Sequence, residues 1–305
     1  MKIAFIGGVK FSHELLSHII QKGWKISVLF SFNDSKIKHY SDLDSFDNIT
    51  KKYEIRHNKV DNINDPENIE LLKKINPDLI LVMGWSQLLK NEIIQIPRLG
   101  VIGSHPTELP KYRGRSPLPW SIIKDLKESA LTFFYIKDGI DDGDILDQKK
   151  FVINNNDTAT TLYDKIISLG KQMLEENLPL IEKGTSKKIR QDQSKFIESW
   201  SKRSPDDGQI NWNEDCKTIQ TLIRASTHPY PGAFTNFRGK KLKIWKADYD
   251  QSQNAEPGKI IKINSIVKVG TGKGVLLIKN ASIDDGEEME ADKIFLKKDI
   301  FTVLG

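Results

Sequence analysis

Residues 79–83 read Leu-Ile-Leu-Val-Met, an unbroken apolar run in a chain of 305 residues. Such a run is typical of a strand that is covered on both faces in a parallel sheet. On either side of it, strand-like segments alternate with segments whose apolar residues recur at helical spacing. This alternation predicts an α/β first domain, doubly wound and Rossmann-like, with a mostly parallel sheet.

The flanking strands and the first helix follow from the same pattern. Further strands are predicted at residues 2–6, 24–32, 101–102, 131–136 and 145–152. Between the first two strands, Leu15, Leu16 and Ile19 recur at helical spacing, and Ser12 is predicted to be the N-cap of that helix. The paired glycines at residues 7 and 8 lack the G-x-G-x-x-G spacing, which argues against a dinucleotide site.

The composition changes near residues 183–205, where a polar stretch follows the last long helical pattern. Beyond it we predict a helix around residues 215–225 and strands at residues 240–246, 259–268, 275–279 and 293–296. Short strands separated by Gly and Pro turns favour a small antiparallel barrel. We therefore predict a first domain at 1–188, a linker at 189–204 and a smaller β-rich, OB-like domain at 205–305.

The bulk composition is that of a globular protein, with 38% hydrophobic and 29% charged residues. No apolar run approaches the ~20 residues that span a bilayer, and the N-terminal run is too short for a secretory signal. The single cysteine, Cys216, allows no internal disulfide and fits a reducing compartment, so we expect a cytoplasmic protein. The net charge of +5 contains no block of like charges, and we interpret it as solvated lysines.

Polar side chains cluster where two predicted strands end. His105 follows one short apolar strand, and Asp141, Asp142 and Asp144 lie in a glycine-containing turn after another. Ligands bind at the carboxyl ends of strands in open α/β sheets. If the strands are neighbours, the turns face each other, and a carboxylate beside an imidazole fixes its tautomer and raises its pKa. The pair would serve as a general base or as a cation that stabilises an oxyanion.

The same residues allow plainer interpretations. A histidine at a strand end is often structural, and Asp-Asp-Gly-Asp is also an ordinary turn sequence. Clustered carboxylates can bind Mg²⁺ or Ca²⁺, but the calcium-loop spacing with its closing glutamate is absent, and we predict no metal site. Spacing alone leaves the catalytic and structural alternatives open.

Two motifs in combination are more specific. Residues 105–114 read H-P-T-E-L-P-K-Y-R-G, and residues 141–148 read D-D-G-D-I-L-D-Q. Together they resemble the folate-dependent formyltransferase family, which includes methionyl-tRNA formyltransferase, glycinamide ribonucleotide transformylase and the nucleotide-sugar N-formyltransferases. Residues 202–212 and 224–234 also fit, so the resemblance covers nearly the whole chain. It implies acyl transfer, in which an amine attacks the formyl carbon of N10-formyltetrahydrofolate.

The resemblance implies a reaction centre made of an Asn-x-His pair and an aspartate. These positions fall on Gly103, His105 and Asp141, so glycine stands where the asparagine is expected. Ser104 is a poor substitute, because residues i and i+2 of a strand share a face and Ser104 points away. Loss of one oxyanion donor costs about 10²–10³ in rate. Either a backbone N–H, a water or protonated His105 replaces the amide, or the chain is an impaired or purely binding homologue.

The resemblance also implies two sets of binding residues. Co-substrate contacts, largely through backbone groups, are expected at Met83, Gly84, Trp85, Ser86, Gln87, Leu88, Asp138, Gly139 and Ile140. Contacts to the substrate are predicted at Lys10, Ser104, Pro106, Thr107, Arg113 and Gly114. A core role is the alternative for Trp85, a solvated side chain for Lys10, and a structural pairing with a carbonyl for Arg113.

Within the family, the chain most resembles the nucleotide-sugar enzymes, on residues 80–89 and 115–123. The basic loop that methionyl-tRNA formyltransferase inserts after its second strand is missing, and residues 33–48 are mildly acidic. RNA binding requires the neutralisation of many phosphates, which disfavours a nucleic-acid partner. We predict a dTDP-4-amino-4,6-dideoxyglucose acceptor for O-antigen or other surface polysaccharide, with methionyl-tRNA as the alternative. A membrane partner is not expected, and homodimerisation through the second domain is left open.

Overall fold

The computed structural model describes residues 1–33, 35, 42, 44–263 and 266–305. The chain divides into two compact units. The first comprises residues 1–117, 127–153 and 163–201, and the second comprises residues 118–126, 154–162 and 202–305. The boundaries 1–188, 189–204 and 205–305 stay a prediction.

The elements up to residue 201 alternate between strands and helices. In chain order they are β1 (Ile3–Ile6), α1 (Lys10–Gln21), β2 (Ile26–Phe32), α2 (Asp47–Lys52), β3 (His57–Val60), α3 (Pro66–Ile75), β4 (Leu79–Val82), α4 (Asn91–Ile94), β5 (Val101–His105), β6 (Tyr112–Gly114), α5 (Pro117–Ile123), β7 (Glu128–Tyr135), β8 (Ile145–Val152), α6 (Ala159–Glu182) and β9 (Glu198–Trp200).

The described residues of the first unit form a seven-stranded sheet with the order β3-β2-β1-β4-β5-β7-β8. The five strands β3, β2, β1, β4 and β5 run parallel to one another, β7 pairs antiparallel with β5, and β8 pairs antiparallel with β7. The apolar run in β4 lies between β1 and β5 and is almost entirely buried, which confirms the predicted fold class. The strand order reverses between β1 and β4, and a ligand crevice is expected at the carboxyl ends of strands beside such a point.

The predicted N-cap at Ser12 is wrong, because α1 begins at Lys10 with Val9 as its N-cap. Ser12 lies in the first turn, where its hydroxyl accepts hydrogen bonds from the backbone of Gly8 at 3.1 Å and of Val9 at 3.2 Å. The same hydroxyl donates to the carbonyl of Met83, directly after β4. Ser12 therefore ties together the loops that follow β1 and β4.

The second unit is built on antiparallel strands. Its elements after residue 202 are α7 (Cys216–Ser226), β10 (Ala233–Phe237), β11 (Lys240–Asp250), β12 (Ile260–Ile263), β13 (Val267–Gly270), β14 (Val275–Ile283), β15 (Met289–Glu290) and α8 (Ala291–Ile294). The sheet has the order β10-β11-β14-β13-β12, with β15 beside β14, and it forms a curled half-barrel. Its core includes Trp212, Leu242 and Ile278. This sheet confirms the predicted β-rich second domain.

Two predicted strands of this unit need correction. Residues 293–296 are not a strand, because α8 ends at Ile294 and the buried Phe295 packs on Phe237 with ring centroids 4.8 Å apart. Residues 259–268 contain two strands, β12 and β13, and residues 264 and 265 lie outside the described residues. In the described part of the chain, no helix is long and apolar enough to cross a membrane.

Candidate active site

His105 is the last residue of β5, and it is only 6% exposed. β5 pairs with β7, so His105 lies opposite Thr132 in the ladder. The turn that follows β7 carries Asp141, whose Oδ2 lies 3.7 Å from His105 Nδ1. The two strands are neighbours but antiparallel, and it is the turn after β7 that places the carboxylate beside the imidazole.

The turn after β7 holds Asp141 in an uncommon conformation. Asp141 has a φ of 51°, which is in the left-handed region. Gly143 follows closely, and a Cβ there would lie 1.6 Å from the carbonyl oxygen of Tyr135. The carboxylate of Asp141 also accepts a hydrogen bond from the backbone N–H of Gly114 at 3.3 Å. The carboxylate is therefore held between His105 and the strand β6.

Burial lowers the pKa of His105 below its ordinary value, because desolvation disfavours the charged ring. Asp141 and the backbone of Tyr112 oppose this effect, and Arg113 adds to it. Asp141 raises the pKa of His105 as expected, but burial outweighs the carboxylate and the net pKa is lowered. His105 Nε2 is buried and has no hydrogen-bond partner among the described residues. A neutral ring with an available nitrogen suits a general base rather than a cation.

The lowered pKa of His105 predicts a pH-dependent contribution to stability. Below about pH 6.5, the unfolded state binds a proton on this histidine that the folded state does not bind. Stability is therefore lost as the pH falls from that value towards the folded-state pKa. We expect the free energy of unfolding of the wild type, measured in urea, to fall more steeply over this range than that of His105→Gln. A difference between the two proteins that stays constant with pH would contradict this.

The loop after His105 is fixed by a buried hydrogen-bond network. The Thr107 hydroxyl donates to the carbonyl of Tyr112, and the Thr132 hydroxyl donates to the carbonyl of Thr107 at 2.6 Å. Gln148, the last residue of the second motif, donates to the Thr132 hydroxyl at 2.8 Å and to the carbonyl of Leu109 at 3.0 Å. The network gives Thr107 a structural task. Its contact to the substrate stays a prediction, as do those of Ser104 and Pro106, which are half-buried beside His105.

Arg113 and Gly114 are held by the segment 189–204 that the sequence suggested to be a linker. Arg113 Nη2 donates to Gln191 Oε1 at 2.9 Å and to Gln193 Oε1 at 2.8 Å, so it pairs with side-chain amides. β9 runs parallel to β6, and a Cβ on Gly114 would lie 2.3 Å from the carbonyl oxygen of Trp200. Glycine is therefore needed at position 114 for this close approach.

Gly103 lies beside Val82 of β4 and opposite Phe134 of β7. A Cβ at Gly103 would lie 2.9 Å from Ile136 Cγ1 and 3.2 Å from Phe134 Cζ. Real Cβ atoms do not tolerate such a short approach to Ile136. The Ile136 side chain thus fills the space where an asparagine side chain would begin.

The loop after β4 is tied to the core at its start. Met83 is fully buried, and its carbonyl accepts the Ser12 hydroxyl. Gly84 has a φ of 61°, and a Cβ there would lie 2.5 Å from Val9 Cγ2. The Trp85 ring stacks on Phe32 with centroids 3.8 Å apart, which supports the core role for Trp85.

Further along this loop, the side chain of Gln87 is occupied internally, since it donates to the carbonyl of Asp61 at 2.6 Å and accepts from the backbone of Ile63 at 3.0 Å. Large apolar side chains are exposed at Leu88, 65%, and at Ile140, 57%. Three more of the predicted co-substrate residues are also exposed, namely Ser86, Asp138 and Gly139.

Lys10, a predicted substrate contact, is the first residue of α1. Lys10 Nζ lies 3.9 Å from Asp164 Oδ1 on α6, and both side chains are at least half exposed. The contact of Lys10 to the substrate stays a prediction.

Within the ranges that the structure describes, no cluster of three or more His, Cys, Asp or Glu side chains could hold a metal ion.

Comparison with known proteins covers both units. Residues 1–178 match the family model described as formyl transferase, and residues 202–298 match the model of the formyl transferase C-terminal domain. The methionyl-tRNA formyltransferase of Acetivibrio thermocellus is 29% identical over 304 residues, which is 96% of this chain and 95% of that protein. The bifunctional polymyxin resistance protein ArnA of Wigglesworthia glossinidia brevipalpis is 34% identical over 273 residues, 88% of this chain and 41% of that protein.

A solved structure shares the fold over both units of the chain. WlaRD, a sugar 3N-formyl transferase determined in the presence of dTDP and 5-N-formyl-THF, superposes with a TM-score of 0.67 at 21% identity. The match covers 94% of this chain and 99% of that one. At 21% identity, this similarity is evidence for the fold alone.

Proposed function

The chain belongs to the formyl transferase family, and on that premise we propose that it transfers the formyl group of N10-formyltetrahydrofolate to a primary amine. The observation that carries the proposal is the pairing of the buried His105, at the carboxyl end of β5, with the half-buried Asp141. A base is required in this reaction because the amine loses a proton when it becomes an amide. His105 Nε2 is the ring nitrogen suited to accept that proton.

Asp141 and the backbone of Tyr112 together favour one ring nitrogen as the available one. At 3.7 Å, the Asp141 Oδ2 is beyond hydrogen-bond distance of His105 Nδ1, but the attraction still favours the tautomer with the proton on Nδ1. That tautomer leaves a lone pair on Nε2. Geometry of this kind commonly tightens when substrates bind. Asp141 therefore acts through His105, by orienting the ring and by stabilising the cation that forms during transfer.

The residues present fit a folate co-substrate. The exposed apolar side chains of Leu88 and Ile140 offer surface for a ring system, and the left-handed Gly84 lets the backbone approach without a side chain. The groups that would hold the co-substrate are Gly84, the backbone of residues 86–88 and the turn at residues 138–140. When bound, N10-formyltetrahydrofolate supplies the activated formyl group. WlaRD, which shares this fold, was determined in the presence of 5-N-formyl-THF, and this supports a folate co-substrate.

For the acceptor, we propose methionyl-tRNA as the first candidate. The support is the relative from Acetivibrio thermocellus, which carries that name and matches over 96% of this chain. The relatives thus favour the alternative over the nucleotide sugar that the sequence pattern suggested.

A nucleotide-linked amino sugar is the second candidate, and the charge of residues 33–48 favours it. This segment contains four aspartates and two lysines. RNA affinity depends on the neutralisation of phosphates, so an acidic segment weakens tRNA binding where a basic segment would strengthen it. Residues 34, 36–41 and 43 of the segment lie outside the described residues. The fold shared with WlaRD, a sugar 3N-formyl transferase, is compatible with this acceptor.

The deciding experiment is a formyl-transfer assay with N10-formyltetrahydrofolate. The acceptors are methionyl-tRNA and dTDP-, UDP- and GDP-linked amino sugars, including dTDP-4-amino-4,6-dideoxyglucose, and product mass reports the formyl increment. We expect product on methionyl-tRNA, with a KM that rises steeply with salt because phosphate contacts release counterions. Product only on a nucleotide sugar, with weak salt dependence, would establish the second candidate. No product with any amine would contradict the proposed function.

A further inference from the structure

Gln191 lies in the polar stretch between the long helix α6 and β9, and it is only 3% exposed. Every hydrogen-bonding group of its side-chain amide is used. The nitrogen donates to the carbonyl of Asp141 at 2.8 Å and to the carbonyl of Gly143 at 2.8 Å. The oxygen accepts from Arg113 Nη2 at 2.9 Å. One buried amide thus joins the Asp141 turn to the β6 strand.

The Asp141 turn has little regular structure of its own. Residues 138–140 and 142 are exposed, and Asp141 itself has the left-handed φ of 51°. Non-glycine residues in that region persist when their surroundings hold them there. The direction of the Asp141 carboxylate depends on this backbone, because the side chain has only two rotatable bonds. The bonds from Gln191 to the carbonyls on both sides of Asp142 supply such a hold.

Gln191 is itself anchored on both sides along the chain. Before it, Ile189 forms a two-way backbone bridge with Ile145 of β8, with N···O distances of 2.9 and 2.7 Å. After it, β9 pairs with β6, and Trp200 stacks on Tyr112 with ring centroids 4.7 Å apart. The segment is thus an integral part of the first unit. Its anchors give Gln191 a fixed position from which to hold the turn.

We propose that Gln191 is a positioning residue, which holds the Asp141 carboxylate beside His105 by fixing the backbone of the turn. The inference rests on the proposed function for its kinetic consequence but not for its structural one. Gln191 does not touch the reacting atoms. It acts on the tautomer and orientation of His105 through Asp141.

Gln193 provides a matched control. Its Oε1 accepts from the same Arg113 Nη2 at 2.8 Å, but no hydrogen bond joins it to the Asp141 turn in the described residues, and it is exposed. Gln193→Leu therefore removes one bond to Arg113 and a long one, at 3.5 Å, to the backbone carbonyl of Gln191. Gln191→Leu removes one bond to Arg113 and also the two bonds to the turn. The difference between the two variants isolates the hold on Asp141.

The first measurement needs no substrate. Imidazole ¹⁵N chemical shifts report the tautomer of His105, which is identified among the six histidines by its loss in His105→Gln. We expect Gln191→Leu to shift His105 away from the Nδ1–H tautomer, and Gln193→Leu to leave it as in the wild type. Equal spectra for the two glutamine variants would overturn the inference. If Gln191→Leu does not fold, Gln191→Met keeps the unbranched chain and makes the same test.

The kinetic measurement uses whichever acceptor the wild type formylates. We expect Gln191→Leu to lower kcat by about tenfold to a hundredfold with little change in the KM for the acceptor, since misplacement of a catalytic group acts on the chemical step. In an Asp141→Asn background the same substitution should cost less than about threefold, because the two residues act in series. Fully additive effects would overturn the inference. An inactive wild type would instead contradict the proposed function and leave the spectroscopic test standing.

Discussion

His105→Gln is expected to lower kcat for formyl transfer by about 10²–10⁴, the contribution of a well-placed general base. Glutamine has a similar reach, but its amide cannot accept a proton from the attacking amine. Because His105 is 6% exposed, water has little access to take over the role. Initial rates with saturating co-substrate measure kcat and KM separately. We expect the loss in kcat, with KM changed little.

His18→Gln is the control for this loss. His18 lies on α1 and pairs through Nε2 with Glu175 of α6 at 2.7 Å, and no hydrogen bond or ion pair joins it to His105 or Asp141 in the described residues. The His18→Gln variant should retain the wild-type kcat for formyl transfer. If His105→Gln keeps a rate within about threefold of the wild type, His105 is structural, and the plainer interpretation of a histidine at a strand end is correct.

The candidate reaction centre could be anticipated from the sequence because His105 and Asp141 lie in the two motifs that carry the family resemblance. His105 and Asp141 come from neighbouring strands, but β5 and β7 are antiparallel, so their contact depends on the turn after β7, which carries Asp141 back to His105. The sheet itself followed from its apolar runs, such as residues 79–83. The net direction of the His105 pKa could not be predicted from the sequence, because the motif shows the nearby carboxylate but not the burial that outweighs it.

The supporting residues could not be anticipated in this way. Gln191 is 50 positions from Asp141 along the chain, in a polar stretch whose composition is that of a linker. Its role exists only through tertiary contacts. No periodicity reveals that Ile136 fills the space beside Gly103 either. Gln148 belongs to a sequence motif, but only the structure shows that its side chain donates hydrogen bonds to Leu109 and Thr132 and so fixes the loop after His105.

Gly103→Asn alone is expected to destabilise the protein by about 1–3 kcal/mol without raising the rate, as overpacked core substitutions do. The reason is the Ile136 side chain, whose Cγ1 lies 2.9 Å from the position of the new Cβ. An asparagine forced past it would leave its rotamer minimum or push β5 away from β7. Urea unfolding measures the loss of stability, and kcat under saturating conditions measures the rate.

Adding Ile136→Ala to Gly103→Asn is expected to restore much of that stability, because alanine vacates the space that the amide needs. The amide would then lie on the same face of β5 as His105, since residues i and i+2 of a strand share a face. There it would donate to the oxygen of the tetrahedral intermediate and raise kcat, at most by the about 10²–10³ that one such donor supplies. Ile136→Ala alone removes apolar packing and should bring no gain in rate. The double variant must therefore exceed the sum of the single effects. If the double variant is as stable as expected but no faster than the wild type, another group already stabilises the oxyanion. In that case Gly103 does not indicate an impaired enzyme.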